Sequence, residues 1–465
     1  MPLQAVATAN RKVWVPHGGV PTSSPSLPKT GGTDQRCTGL LEKGPLNRPL
    51  GTTEVILHQE AGADSDPSAS SLWDLQKTMW DVTNITSLAG CHRWRAPGSG
   101  CATVQWGAGA GARIGSLQNS HSVWSSPLAS AQICSQRSRE LSTGLNNWLS
   151  IEEHSCLFLT LTVRHKKEDS LTSVWDCVSK AWGRVTSGKG WCDPINGAKS
   201  RYSIEHIGRS VECTFSPANG WHLHSHAVLF LGRELNGLEM EGLKQYLFSK
   251  WKAGCEAQGF YGTSLARGID LQRVDKKHAG QMAGYLTKGM LSGLGAEVGS
   301  GGLKRAKGQN MTPFQILEAI GQGRRELIPV WHSWERESLG RRQLLWSRGA
   351  KNALQVHTLT PQELEEREAR RFTHTLAQIA PEEWTGHQSD IVLRKALSAV
   401  EADDLATAKE VIYSILDACQ VYYSPCCIEI EGVEHLPGPT LQDWERALLL
   451  GDGAEDQELV QLGLF

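Results

Sequence analysis

With 465 residues the chain is too long for one hydrophobic core, and two or three domains are expected. Lys and Arg number 47 against 49 Asp and Glu, a net charge of −2, so composition alone does not mark a nucleic-acid binder. No apolar run approaches the roughly 20 residues that cross a bilayer, and a charged-then-apolar secretion pattern is missing from the N-terminus; a cytoplasmic protein without membrane association is expected. The 12 cysteines are scattered with no Cys-x-x-Cys pair, which favours buried thiols over a disulfide framework.

Residues 1–86 are rich in Pro, Gly, Ser and Thr, as in Pro21-Thr22-Ser23-Ser24-Pro25, and read as a disordered or loosely ordered arm. Residues 87–148 carry Gly and Trp and end in a helical pattern over Ala131 to Leu149. Their Cys91, Cys101, His121 and Cys134 offer zinc-ligand chemistry at a spacing that fits no ordinary finger.

Residues 149–295 alternate elements as an α+β domain does. A strand is expected over Cys156 to Val163, and a helix over Ser170 to Val185 with Leu171, Val174, Val178 and Trp182 at helical spacing. A short strand over Ser210 to Phe215 leads through the turn Pro217-Ala218-Asn219-Gly220 into a second strand reaching Leu231. Then follow a helix over Glu241 to Ala257, a strand over Ile269 to Val274, and a helix over His278 to Leu291. The expected assembly is one antiparallel sheet covered by helices on one face.

Residues 296–380 read as a basic linker and helical extension. Between Lys304 and Lys351 ten Lys and Arg stand against four Glu. Thr312-Pro313-Phe314-Gln315 opens a short helix; Thr360-Pro361-Gln362-Glu363 opens a longer charged one with a capping-box pattern and proline at N1. Residues 381–465 read as helical, notably Ser389 to Cys419, with an acidic tail from Gly451 to Phe465. No chemistry is legible there.

The chemistry concentrates in Gly220-Trp221-His222-Leu223-His224-Ser225-His226. Alternate residues of a strand share a face, so His222, His224 and His226 present three imidazoles together, followed by the apolar run Ala227 to Leu231. Such a face suits a divalent metal held by neutral imidazole nitrogens. The plainer alternative is a polar, exposed strand face. Tyr285, in Gln281-Met282-Ala283-Gly284-Tyr285-Leu286-Thr287-Lys288, shares a helical face with Gln281 and Lys288. An ammonium beside a phenol favours the phenolate, so Tyr285 offers a nucleophile, or else an amphipathic packing residue.

Phe158-Leu159-Thr160-Leu161-Thr162, the His-x-His strand and Gly284-Tyr285-Leu286-Thr287-Lys288 resemble, in order and spacing, the three motifs of HUH endonucleases, specifically single-tyrosine rolling-circle replication initiator (Rep) proteins of plasmids. The resemblance runs from about Leu88 to Gly349. It implies an HUH-type central antiparallel sheet with flanking helices, a ferredoxin- or RRM-like palm, beside a degenerate N-terminal zinc element; the C-terminal helices lie beyond it. It also implies a metal-dependent nickase and joining enzyme: Mg²⁺ or Mn²⁺ held by His224 and His226, with Glu212 as third ligand and His222 as its rival, and Tyr285 forming a 5′-phosphotyrosine. His165 and His278 are weaker candidates. The implied partners are plasmid origin DNA, single-stranded or cruciform, and a host helicase and polymerase.

Three departures from the family pattern are visible. Ser225 stands between the paired histidines where a bulky apolar residue is usual. Gln281 occupies the position of a carboxylate that some relatives place before the tyrosine. Ser126-Pro127-Leu128-Ala129 replaces a Cys-Pro-x-Cys, and neither serine nor alanine ligates zinc. In the basic segment, Lys304, Arg305, Arg341, Arg342 and Arg348 are candidate phosphate contacts, and Trp331, Trp334 and Trp346 are candidates for base stacking or for core positions. An HUH transposase or relaxase, a catalytically inactive DNA-binding derivative, and a histidine-metal hydrolase unrelated to nucleic acid are the alternatives.

Overall fold

The computed structural model describes residues 72–261, 263–274, 310–359, 363, 367 and 370–429. The helix expected over His278 to Leu291, with Gln281, Tyr285 and Lys288, lies outside the described residues, as do Lys304, Arg305 and the acidic tail. So do residues 1–71 and most of the helix expected from Thr360.

The strands in chain order are β1 (Ala102–Gly107), β2 (Gly111–Gly115), β3 (Ser155–Thr162), β4 (Ile204–Ser216), β5 (Gly220–Leu231), β6 (Ile269–Arg273), β7 (Leu344–Trp346), β8 (His374–Ile379) and β9 (Ser424–Glu429). Five of them form an antiparallel sheet in the order β6-β3-β5-β4-β7. The arrangement is an α+β fold, as expected.

The β4–β5 hairpin turns at Gly220, whose φ of +76° an L side chain adopts only with strain. A Cβ there would also lie 2.7 Å from the Lys167 carbonyl oxygen, so glycine is required twice over. The strand expected only over Ser210 to Phe215 is 13 residues long. Its N-terminal half has little alternation to advertise it, but pairs along β5 from Ile204↔Leu231 to Gly208↔Val228.

Parity along the strands divides the burial. Leu157, Leu159 and Leu161 of β3 and Leu223, Ala227 and Leu229 of β5 enter one core with the helices Leu171–Val185 and Gly237–Glu256. The opposite parity puts Cys156, Phe158, Val228 and Phe230 against Leu141, Leu145 and Trp148 of the helix Pro127–Leu149. Helices therefore cover both faces, which corrects the one-face expectation. The second cover is built on Val228 and Phe230, and the next positions of the same parity are the imidazoles.

The remaining strands form a second antiparallel sheet, β2-β1-β8-β9, with a separate core that includes Val104, Trp106, Leu376, Ile379, Leu393 and Ile412. The 87–148 and 381–465 segments thus share one sheet. The C-terminal helices appear as Ile391–Ser398 and Leu405–Ala418, capped by Asp390 and Asp404. Residues 72–86, assigned from sequence to the arm, are also built into the fold. The helix Leu72–Val82 buries Leu72, Leu75, Met79 and Trp80, in the same core as Phe314 and Ile316. Its apolar spacing is short and flanked by polar sequence, so the partner surface, not local pattern, reveals it.

Candidate functional site

β5 carries the histidines between β3 and β4, and register decides what faces them. On the β3 side His226 pairs with Thr160 and His224 with Thr162. Thr160 Oγ1 lies 3.1 Å from His226 Nδ1, and Thr162 Oγ1 lies 3.0 Å from His224 Nδ1. On the β4 side Glu212 pairs with His224, and its Oε2 accepts from His226 Nε2 at 2.8 Å. The His224 and His226 rings stack at 5.8 Å between centroids, and Phe158 stacks on His226 at 5.6 Å. The alternating threonines of β3 were the available sequence signal for these ring anchors, and their role was missed.

His222 has a different partner. Its Nδ1 is 2.7 Å from Nε2 of His165, and both rings line a cavity of about 600 Å³ that also takes in Arg164, Asn219 and Arg267. The structure therefore brings Glu212, His226, His224, His222 and His165 into one continuous row, with His222 edge-on to His224 at 4.4 Å between centroids.

Electrostatics couples the whole row. Burial pulls His222 down to about 4, with His224 and His165 adding to the effect and Glu212 opposing it. Burial also lowers His224 against the pull of Glu212. Burial by itself would raise Glu212, but the hydrogen bond and charge of His226, with His224 and His222, hold it below the usual carboxylate range. His222 and His224 held toward the neutral form beside a Glu212 held toward the ionised form are the protonation states that ligation of a divalent cation requires.

Among the described residues, no three His, Cys, Asp or Glu side chains are arranged as a ready-made metal centre. His226 Nε2 and Glu212 Oε2 are hydrogen-bonded to each other at 2.8 Å. The donor types nonetheless fit. The threonine hydroxyls engage Nδ1, so Nε2 is the nitrogen that would be used if a cation were held, and a hydroxyl either donates to or accepts from Nδ1 as the tautomer changes.

Ser225, of opposite parity, is fully buried and accepts from Arg209 Nε at 2.8 Å. The small polar residue between the histidines is thus matched to a buried arginine lying over Trp182.

Cys91, Cys101, His121 and Cys134 do not gather as a zinc site. Cys91 Sγ sits 3.4 Å from Ser126 Oγ, whose hydroxyl donates to Gln76 Oε1 at 3.1 Å, while Cys134 contacts Gln343 and Ser130. A hydrogen-bonded network occupies the place expected for a degenerate zinc element.

Of the basic candidates, Arg342 and Arg348 are exposed and flank edge strand β7, whereas Arg341 is paired with Asp176 at 2.8 Å. Trp331 and Trp334 are fully buried, which removes them as base-stacking platforms. Trp346 stacks on Phe230. No helix among the described residues is long and apolar enough to cross a membrane.

The chain is 24% identical to a protein of Streptomyces lividans named "Protein rep", over 54% of this chain and 67% of that protein. It is 27% identical to a "Neomycin resistance protein" of Streptomyces cyanogenus over 30% of this chain, and spans 36% of that relative. No protein-family profile matches the chain, and no solved structure matches it.

Proposed function

We propose that the chain is a plasmid replication initiator that nicks and rejoins origin DNA by the rolling-circle route of the HUH endonucleases. One observation carries the reading: two histidines of a central strand, each anchored through Nδ1 to a threonine of β3, stand beside Glu212. The likeness to the Streptomyces Rep protein supports a replication role.

In this reading His224, His226 and Glu212 hold Mg²⁺ or Mn²⁺, which supplies charge neutralisation at the scissile phosphate. The Tyr285 oxygen bonds to phosphorus, the P–O3′ bond breaks, and the 3′-oxygen takes a proton and becomes a primer terminus. Lys288 is the proposed cation beside the phenolate, and Gln281 a polar neighbour that cannot serve as a general base. Arg342, Arg348, Lys304 and Arg305 contribute phosphate contacts, with Arg341 already engaged by Asp176. Arg164 and Arg267, in the cavity beside His222, give the strand a path to the site. The working partners are single-stranded or cruciform origin DNA and the host helicase and polymerase.

The test is incubation with labelled origin-like single-stranded DNA and Mn²⁺, read as a covalent protein–DNA adduct. An adduct is expected with the native chain and none with Tyr285→Phe. Bound DNA with no adduct from the native chain sinks the nickase reading; an adduct that survives Tyr285→Phe removes Tyr285 from its role.

A further inference from the structure

A cavity of about 290 Å³ at the second sheet, away from the histidine strand, is lined by residues of β2, of the helix Pro127–Leu149 and of the helix Ile391–Ser398. Arg113, Arg371, Arg394 and His92 stand in its wall, and among the described residues no Asp or Glu does. The volume lies near the lower end of the roughly 300–1,000 Å³ usual for small-molecule sites.

Arg394 is the informative residue. It is 2% exposed, and its guanidinium packs over Trp73, Trp80 and Trp384 at 5.0–5.3 Å. Nη2 donates to the Gln388 carbonyl at 2.8 Å, but Nε and Nη1 are buried without a hydrogen-bond partner. Two more nitrogens of the same wall, the Trp73 Nε1 donor and His92 Nε2, are likewise buried and unpaired.

Buried donors are ordinarily satisfied, because desolvation without a partner is costly. Burial draws Arg394 down to about 9, with Asp390 opposing and Arg93 adding, so it remains a cation at neutral pH. Asp390 itself accepts from Leu393 N as a helix cap and lies 3.5 Å from His387 Nδ1. A guanidinium with two donors to offer suits a phosphate above other acceptors. The wall also mixes apolar Ile114, Leu117, Leu128 and Phe372 with polar Ser116, Asn119, Gln132 and Ser398, and Arg113 and Arg371 lie 4.0 and 5.4 Å from the Phe372 ring centroid. A cationic end and apolar side chains in one small cavity match a phosphate joined to a planar ring.

We propose that this pocket binds a nucleoside monophosphate unit, its phosphate on Arg394 and its base against the apolar side chains. The unit comes either from a free nucleotide or from one nucleotide of a DNA strand. The site is independent of the nicking chemistry, and its binding is expected to persist in His224→Ala.

Equilibrium dialysis of the full chain against labelled dAMP, with deoxyadenosine as the phosphate-free control, tests it. Gln132 lines the pocket and is exposed, so Gln132→Glu adds a negative charge without disturbing packing. Saturable dAMP binding, at least tenfold weaker for deoxyadenosine and for Gln132→Glu at unchanged melting temperature, supports the free nucleotide as source. Arg371→Ala and Arg394→Gln are expected to act in the same direction, the former guarding against misfolding of the latter. If dAMP does not bind but a single-stranded 12-mer is held at least fivefold more weakly by Gln132→Glu in the His224→Ala background, the source is a strand. Equal binding of dAMP and deoxyadenosine, or no effect of Gln132→Glu on either probe, overturns the proposal.

Discussion

Arg209 donates from Nε to the Ser225 hydroxyl at 2.8 Å, on the face of β5 that carries no histidine. The pair is buried, and Nη2 of the same arginine has no hydrogen-bond partner. Burial draws Arg209 down to about 10, so it stays charged inside the helix-covered core. Ser225→Ala removes an acceptor from a buried cation and is expected to cost about 1–3 kcal/mol. Arg209→Met combined with Ser225→Val replaces both partners by apolar groups and is expected to restore stability to within about 1 kcal/mol of the native chain. Urea denaturation measures both, and a double variant less stable than Ser225→Ala contradicts the argument.

Thr160 and Thr162 fix the rings of His226 and His224 through Nδ1. Outer hydrogen-bond partners of ligating histidines are worth about 10–100-fold in metal affinity. Thr160→Val and Thr162→Val keep the β-branched shape and are expected to weaken Mn²⁺ binding by that order. Calorimetric titration of Mn²⁺ reads it, and unchanged affinity in both variants would mean that the hydroxyls do not orient the ligands.

The different hydrogen-bond partners along the histidine row predict different phenotypes. His224→Ala or His226→Ala is expected to abolish DNA cleavage while largely preserving DNA affinity. His222→Ala, which disrupts the pair with His165 in the neighbouring cavity, is expected to weaken DNA binding and leave Mn²⁺ affinity nearly intact. Paired cleavage and binding assays check this; normal cleavage by His224→Ala would show that the metal site is misplaced.

Ser126 does two jobs where the family pattern has a cysteine. It accepts from Ala129 N as cap of the helix Pro127–Leu149 and donates to Gln76. Ser126→Ala is expected to lower stability by about 1–2 kcal/mol. Because the position is held by hydrogen bonds, a zinc chelator is expected to leave the melting temperature of the native chain unchanged, and a fall on chelation would restore a zinc site to this region.

Local pattern sufficed where an element's neighbours in space are also its neighbours in sequence. The helix over Ser170 to Val185, the hairpin at Gly220 and the capped helix at Thr312 were legible because periodicity and turn chemistry act within a few residues. β8 was not legible: its burial follows from pairing with β1 and β9, which lie in distant parts of the chain. The same applies to Leu72–Val82, a short helix defined by the core it enters.

The sequence by itself determined that three imidazoles share one face of a strand, because a strand's period of two depends on nothing else. Only the tertiary structure decided which partner each of them meets. The antiparallel register sets Thr160 and Thr162 behind two of them and Glu212 beside them, and it leaves His165 as the partner of the third, whose ring stays 4.4 Å from that of His224. Register and approach depend on which surfaces pack together, and that information is distributed over the whole fold.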